Sequence, residues 1–322
     1  MGKKTLLSVL CVLIAAFSAR AQDGCAPVDL TDKGQPIEVE RLQDYTPVFD
    51  SCRGQDGVRL AIRRLVFDGQ SFLLTVDPQS LDTQLERAAC LSCVETSDEA
   101  QETTRLMRVL HADQTSTRPP ALVNAGLIHG AGAGVYVTGD LCPSGKPLDR
   151  AFIDDIAKHT PGAPITLAIS GSWLAHHSAD FSWLQEKIRD GAITIDWANH
   201  SYSHPYVIGL ADRQNYLLRP GVDLDREIFE TEKLLIAHGA TPSVFFRFPG
   251  LVADPALLGK LRERHLIALG ADAWLALGPA PRPGSIVLVH PNGNEPGGLK
   301  LFMKYLATGK MPQPFRRINE AP

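Results

Sequence analysis

The sequence predicts an α/β barrel of about six strand–helix units, preceded by a smaller β-rich region. From residue 134 onward, short β-like runs alternate with amphipathic helical stretches, which is typical of a parallel sheet with right-handed crossovers. About six such units in roughly 190 residues make a barrel smaller than the usual eight-unit one. Before residue 130 the β-like runs follow one another with turn signals between them, which favours antiparallel strands.

The composition is that of an ordinary globular protein. The chain has 322 residues, of which 44% are hydrophobic and 21% charged, so disordered, collagen-like and coiled-coil proteins are excluded. The formal net charge of −4 argues against a nucleic-acid partner, which normally requires a basic surface.

Residues 1–21 have the pattern of a cleaved signal peptide. Lys3 and Lys4 precede an apolar run at 5–17, and Ala19-Arg20-Ala21 is a small-x-small cleavage site. The run is too short for a stable membrane-spanning helix. Removal of its three basic residues changes the net charge from −4 to −7. We therefore expect a secreted or periplasmic protein without stable membrane insertion.

Five cysteines remain after this cleavage: Cys25, Cys52, Cys90, Cys93 and Cys142. An oxidising compartment favours disulfides, and we expect Cys25 to pair with Cys52. Cys90 and Cys93 then close a small loop or pair elsewhere, with a redox CxxC motif as the alternative. The odd number leaves at least one thiol free or intermolecular.

Residues 22–130 are interpreted as an accessory β-rich region. Runs at 58–67 and 71–76 flank Asp68-Gly69-Gln70, a hairpin signal. The polar stretch 95–105 is typical of a helix or loop, and 115–120 of a linker. Nothing in this region brings chemically active residues together.

Residues 131–310 are predicted to form the barrel domain, and 311–322 a C-terminal tail. Gly239 and Gly309 are predicted to end two of its helices. The predicted strands are 135–138, 164–170, 193–195, 244–248, 266–269 and 286–289, and the predicted helices are 147–159, 181–189, 223–238, 255–264 and 299–307.

Polar residues follow most of the predicted strands, at the edge where barrel proteins carry their functional groups. They are Asp140 after the first strand, His200 and His204 after the third, Arg247 at the fourth, Asp272 and Trp274 after the fifth, and His290 after the sixth.

Three of these positions allow two interpretations each. His200 and His204 are four residues apart, so on a helical turn both reach one cation, zinc for example; the alternative is a solvated helix face. His290 is a general acid or a buried core histidine. Arg247, between two phenylalanines, is buried against a carboxylate or forms a surface ion pair.

The region from about residue 134 to 307 resembles the NodB-type polysaccharide deacetylases, carbohydrate esterase family 4. The string Asn199-His200-Ser201-Tyr202-Ser203-His204 is similar to that family's H-[ST]-x-x-H metal motif. Arg247-Phe248-Pro249-Gly250 is similar to its R-x-P motif, and Leu288-Val289-His290 to its terminal L-x-H motif.

The resemblance implies an exported, metal-dependent N-deacetylase of N-acetylated glycans on a distorted (β/α) barrel. It also implies a divalent metal, zinc with cobalt or nickel as alternatives, held by His200 and His204. The roles it implies for the other residues are Asp140 as base or metal ligand, His290 as general acid, Arg247 as the residue that orients the base, Asp272 as the residue that tunes His290, and Pro249, Trp274 and Leu288 as substrate-binding residues.

The first motif departs from the family pattern, T-F-D-D-G-P. In Thr138-Gly139-Asp140-Leu141-Cys142-Pro143, Asp140 occupies the motif position of the family's catalytic base, and Leu141 occupies the position of its metal-binding aspartate. Either two histidines and water hold the metal, or Asp140 ligates it and another group is the base. In the family register the Cys142 side chain is expected to point away. A catalytically impaired glycan-binding protein on the same fold is the alternative function.

Overall fold

The structure is a computed structural model that describes residues 25–115 and 124–322. The predicted signal peptide and most of the predicted linker at 115–120 lie outside these ranges. Within them, no helix is both long and apolar enough to span a membrane.

The larger of two sheets contains seven strands, and every neighbouring pair is parallel. Its strands are Tyr136–Leu141 (β6), Ala163–Ile169 (β7), Ile193–Asn199 (β8), Pro242–Phe246 (β9), Ile267–Ala268 (β10), Ala273–Trp274 (β11) and Ile286–Val289 (β12). The sheet curls into an open, distorted barrel with the order β10-β9-β8-β7-β6-β12-β11. The predicted α/β barrel is thus confirmed, with the two-residue strand β11 added to the six expected.

The helices agree in part with the prediction: 150–159, 178–189 and 296–307 (α7) end at the predicted residues, 255–262 begins at one, and 224–237 (α5) is one residue shorter at each end. The helices 105–115 and 171–176 were not predicted. Asp223 caps α5 by accepting a hydrogen bond from the backbone N–H of Arg226. Gly239 and Gly309, just past α5 and α7, have φ of 77° and 66°, as helix-terminating glycines do. The helices are Arg105–Thr115 (α1), Arg150–His159 (α2), Gly171–His176 (α3), Ser178–Arg189 (α4), Leu224–Ala237 (α5), Pro255–Arg262 (α6) and Pro296–Ala307 (α7).

The barrel strands bury both faces, because successive side chains of a strand point to opposite sides. On β6, Val137 and Leu141 belong to an outer apolar layer with Phe152 of α2 and Phe302 of α7. Tyr136 belongs to a separate inner cluster. This alternation decides which residues at the strand ends face the barrel axis.

The strands of the smaller sheet are Leu42–Gly54 (β1), Gly57–Phe67 (β2), Gln70–Val76 (β3), Thr83–Arg87 (β4) and Ser92–Glu95 (β5). This sheet is antiparallel and has the order β4-β3-β2-β1-β5. The predicted hairpin at Asp68-Gly69 joins β2 to β3, and both central residues have positive φ. The stretch predicted as helix or loop contains one 3₁₀ turn, Glu99–Gln101.

The antiparallel sheet and the barrel share one apolar core. Leu60, Ile62 and Leu74 of the antiparallel sheet belong to the same buried cluster as Val244 and Leu288 of the barrel. A buried ion pair crosses the same boundary: Arg63 on β2 donates from Nε to Glu232 on α5 over 2.8 Å. The β-rich region therefore packs against the inside of the barrel.

The predicted pairing of Cys25 with Cys52 is wrong. Cys25 pairs with Cys90, and Cys52 pairs with Cys93. The reason is strand order: β5 adds to the sheet beside β1, which places Cys93 directly opposite Cys52. Cys142 is the free thiol among the described residues, and it is buried.

The C-terminal residues pack against the barrel. Phe315 forms a parallel bridge with Val135 just before β6 and is buried, as is Ile318. Arg317 forms ion pairs with Asp196 of β8 and with Asp82. The segment predicted as a tail therefore contacts both the barrel and the loop that precedes β4.

Candidate active site

A cleft of about 620 Å³ opens at the carboxyl edge of the parallel sheet. Carboxyl ends of parallel strands meet at one edge, so β6, β8 and β12 bring distant residues together here. The cleft is lined by Asp140, Cys142, His200, Ser203, His204, Tyr206, Tyr216, Arg219, Gly250, Leu251, Trp274, Leu288, His290, Asn294 and Glu295, among others.

Arg247 is fully buried beneath this cleft and holds Asp140 in place. Its Nη1 donates to Oδ1 of Asp140 and to Oγ1 of Thr138, each over 2.7 Å. Its Nε and Nη2 donate to backbone carbonyls of Leu269 and Gly270. The interpretation of Arg247 as buried against a carboxylate is confirmed.

The carboxyl of Asp140 is ionised in this setting. Burial raises the pKa of Asp140, but Arg247 and the two histidines His200 and His290 outweigh burial, so the pKa lies below its ordinary value. Its Oδ2 lies 3.7 Å from Nε2 of His200 and 4.0 Å from Nε2 of His290. These distances are too long for hydrogen bonds, so this oxygen keeps its lone pairs.

His200 presents a lone pair toward the centre of the site. Its Nδ1 lies 2.8 Å from the carbonyl oxygen of Arg247, and only a protonated Nδ1 can donate there, which leaves Nε2 unprotonated in the neutral ring. Burial lowers the pKa of His200 despite the nearby Asp140. A neutral imidazole with its other nitrogen anchored is a ready metal ligand.

His204 reaches the same place by a different backbone path from the one expected. The expected helical turn is wrong, because Ser201 and His204 have φ of 64° and 46°. The side chain of Asn199 accepts from the N–H of Ser201, and Oγ of Ser201 accepts from the N–H of His204. The centroids of the His200 and His204 imidazole rings are nevertheless 4.8 Å apart. Desolvation and the neighbouring His200 lower the pKa of His204 to about 3.

Cys142 faces the site, contrary to expectation. Asp140 and Cys142 are two residues apart at the end of β6, so they share a face, while Leu141 points into the outer apolar layer. The Sγ of Cys142 lies 3.4 Å from Nε2 of His200. Burial and the charge of Asp140 raise the pKa of the Cys142 thiol well above its ordinary value.

His290 lies at the end of β12 beside a carboxylate that the sequence did not indicate. Oε2 of Glu295 is 2.8 Å from Nδ1 of His290, although the angle is outside that of a well-directed hydrogen bond. The same oxygen accepts a hydrogen bond from Nε1 of Trp274 over 2.7 Å. Burial raises the pKa of Glu295, but His290 and Trp274 outweigh it, and the pKa is lowered.

The expectation that Asp272 tunes His290 is wrong. Asp272 lies beside the start of β12, where it accepts from the N–H of Ile286 and contacts Nδ1 of His129 over 2.7 Å. A four-residue strand separates this end from His290. Glu295 occupies the position expected for Asp272, and it comes from a loop without a spacing signal.

Two of the three expected substrate-binding residues line the cleft. Trp274 and Leu288 do so, whereas Pro249 is buried behind Gly250 and Leu251, which form the wall instead. Tyr206 and Tyr216, which the sequence did not single out, stack at 5.2 Å between ring centroids and also line it.

No protein-family model matches the chain. Solved structures similar to it include family 4 carbohydrate esterases, the family that the sequence motifs resemble. One from Bacillus anthracis is 18% identical, covers 66% of this chain and 91% of its own, and has a TM-score of 0.43. One from Streptomyces lividans, in complex with acetate, is 21% identical over 55% and 89%, with a TM-score of 0.38. A pseudoenzyme of that family from Bacillus anthracis is 14% identical over 67% and 81%, with a TM-score of 0.43.

Proposed function

We propose that the chain is a metal-dependent hydrolase that removes acetyl groups from N-acetylated glycans. One observation carries the proposal: an ionised carboxylate, two neutral histidines and a third, carboxylate-paired histidine converge on one cleft. Base, cation ligands and acid are the groups that amide hydrolysis requires.

His200 and His204 fit a divalent cation, since both are neutral and Nε2 of His200 is free of its own proton. Asp140 is the third ligand that the sequence resemblance implies. Zinc suits imidazole ligands, with cobalt or nickel as alternatives. When bound, the cation supplies Lewis acidity toward the amide oxygen and lowers the pKa of a water molecule.

Asp140 and His290 divide the proton transfers between them. Asp140 keeps an open oxygen, Oδ2, that accepts a proton from the attacking water, while Arg247 fixes Oδ1. His290, beside Glu295, donates a proton to the departing sugar amine. Water adds to the amide carbon, the C–N bond breaks, and acetate and the amine are released.

The walls of the cleft support a sugar substrate. Tyr206, Tyr216 and Trp274 line it, and aromatic faces combine apolar contact with a polar edge. More than half of the Tyr206 side-chain surface is exposed, which leaves it accessible to a polymer. The proposed partner is therefore an N-acetylated glycan.

We also propose that the protein acts outside the cytoplasm, secreted or in the periplasm. The two disulfides among the described residues support this, because such bonds persist in oxidising compartments.

The test is acetate release from N-acetylglucosamine oligomers with added zinc or cobalt. We expect metal-dependent release that falls at least about 10-fold in His200→Ala, because a cation ligand is lost. His176→Ala, which removes an exposed histidine of α3, is the matched control and should keep the rate. Glycan binding that survives chelation, without any acetate release, would instead establish the impaired binding protein.

A further inference from the structure

The candidate metal centre lacks a third ligand at the position where the motif suggests one. Leu141 is fully buried in the outer apolar layer with Phe152 and Trp173. Its side chain has no ligand atom, and the pleat of β6 turns it away from His200. Catalytic zinc sites normally have three protein ligands, so two histidines alone form an incomplete site.

Asp140 is poorly placed to complete it. One of its oxygens is committed to Arg247, and the other is the open oxygen that the proposed function needs as a base. Oδ2 of Asp140 is the carboxylate oxygen that lies near both His200 and His290. If it bound the cation, no other carboxylate in the described cleft would contact both histidines and serve as the base. One carboxylate would then have to serve two roles.

Cys142 has the geometry of the missing ligand. The ligand atoms of Cys142, His200 and His204 all lie within 4.8 Å of one another. Zinc bonds of about 2.3 Å to sulfur and about 2.0–2.1 Å to nitrogen place S and N about 3.5 Å apart in a tetrahedron. The Cys142 Sγ to His200 Nε2 distance is 3.4 Å.

The position of Cys142 is fixed, and its sulfur is available. Its carbonyl accepts a hydrogen bond from Nδ2 of Asn292 over 2.8 Å. The other four cysteines of the described residues form disulfides with one another. Cys142 is thus the one thiol there that a cation can recruit.

We propose that Cys142 supplies a thiolate as the third protein ligand, with His200 and His204, of a zinc-class cation. Binding forms a metal–sulfur bond and releases the thiol proton to solvent. The soft ligand selects zinc or cobalt over magnesium and manganese, and Asp140 stays free as base. The biological use of the site rests on the proposed function; the ligand set does not.

The test is cobalt(II) loading of the purified chain with both disulfides formed, followed by absorption spectroscopy. We expect a near-ultraviolet thiolate-to-cobalt charge-transfer band in the wild type and its loss in Cys142→Ser. Zinc affinity, measured by competition with a chromophoric chelator, should fall at least about 10-fold in Cys142→Ser. Bound cobalt without the band in the wild type, or the same band in Cys142→Ser, overturns the proposal.

Cys142→Asp keeps the test decisive if Cys142→Ser folds poorly, because a carboxylate restores affinity without the band. Acetate release measured on the same samples separates the two proposals. A thiolate band without acetate release refutes the deacetylase and supports the ligand set. Metal-dependent release together with unchanged zinc affinity in Cys142→Ser refutes the ligand set and supports the deacetylase.

Discussion

Two arginine–carboxylate pairs among the described residues contain a fully buried arginine, one pair between the sheets and one under the cleft. Between the sheets, Arg63 donates to both oxygens of Glu232, and Tyr45 donates to one of them as well. Under the cleft, Arg247 donates to a single oxygen of Asp140. Both oxygens of the first carboxylate accept hydrogen bonds, whereas the second keeps Oδ2 open.

The difference shows how a buried ion pair is recognised as structural or functional. Burying a charge is costly unless its hydrogen bonds are satisfied, and the pair at Glu232 meets that requirement. A carboxylate held at one oxygen and left free at the other is positioned but not consumed. The open oxygen, rather than burial itself, marks Asp140 as a group that acts on something else.

The largest expected effects separate the two pairs directly. Asp140→Asn should lower acetate release by about 10²–10⁴-fold, because the amide cannot accept the proton at that site. Its free energy of unfolding should also fall, by about 3–5 kcal/mol, because the amide leaves the buried charge of Arg247 uncompensated. Glu232→Gln should lower the free energy of unfolding by about 3–5 kcal/mol as well, because Arg63 loses its counter-charge and three donors then face one acceptor oxygen.

Urea unfolding and acetate release, measured on both variants, check this pair of predictions. The Glu232→Gln variant should keep the wild-type rate at temperatures where it is folded. Equal losses of activity in the two variants would contradict the distinction between the pairs.

A smaller effect on stability is expected from the disulfide that joins β1 to β5. Replacing Cys52 and Cys93 together by Ala should lower the free energy of unfolding by about 2–4 kcal/mol, because the bond closes a 41-residue separation in the unfolded chain. Metal affinity should not change, as neither residue lines the cleft. Chemical denaturation and chelator competition measure the two quantities; a lowered metal affinity would show that the antiparallel sheet supports the site.

The smallest effect concerns His265, which stacks on Phe49 at 3.8 Å between ring centroids where the two sheets meet. Burial lowers the pKa of His265 although Asp98 lies 3.1 Å away; Arg63 lowers it further. The unfolded chain therefore binds the proton more tightly. This contribution to stability is complete above about pH 6.5 and is lost as the pH falls toward the folded-state pKa.

His265→Gln should therefore lose less stability than the wild type between pH 7.5 and 5.5. The gap should be at most about 1.4 kcal/mol per pH unit, measured by urea unfolding at the two values. Parallel losses in the two proteins would show that other groups cause the acid sensitivity.

Periodicity predicted much of the barrel and part of the site. Strand β12 has the predicted bounds, and Asp140, His200, Arg247 and His290 meet because parallel strands share an edge. The same period of two could have placed Cys142 beside Asp140, since they are two residues apart on one strand end.

The remaining features depend on contacts that no local pattern records. The path of residues 199–204 follows side-chain hydrogen bonds to the backbone that put Ser201 and His204 at positive φ. Glu295 reaches His290 from a loop, and Cys93 reaches Cys52 because β5 joins the sheet out of sequence order. Each depends on the completed fold.

The core shared by the two sheets also determines where the chain can be truncated. A fragment that begins at residue 131 would carry Glu232 without Arg63 and the inner barrel residues without Leu60 and Ile62. Such a fragment would present a bare charge and an apolar surface to water. The barrel and the β-rich region therefore have to be expressed, recombined and engineered together, as one module.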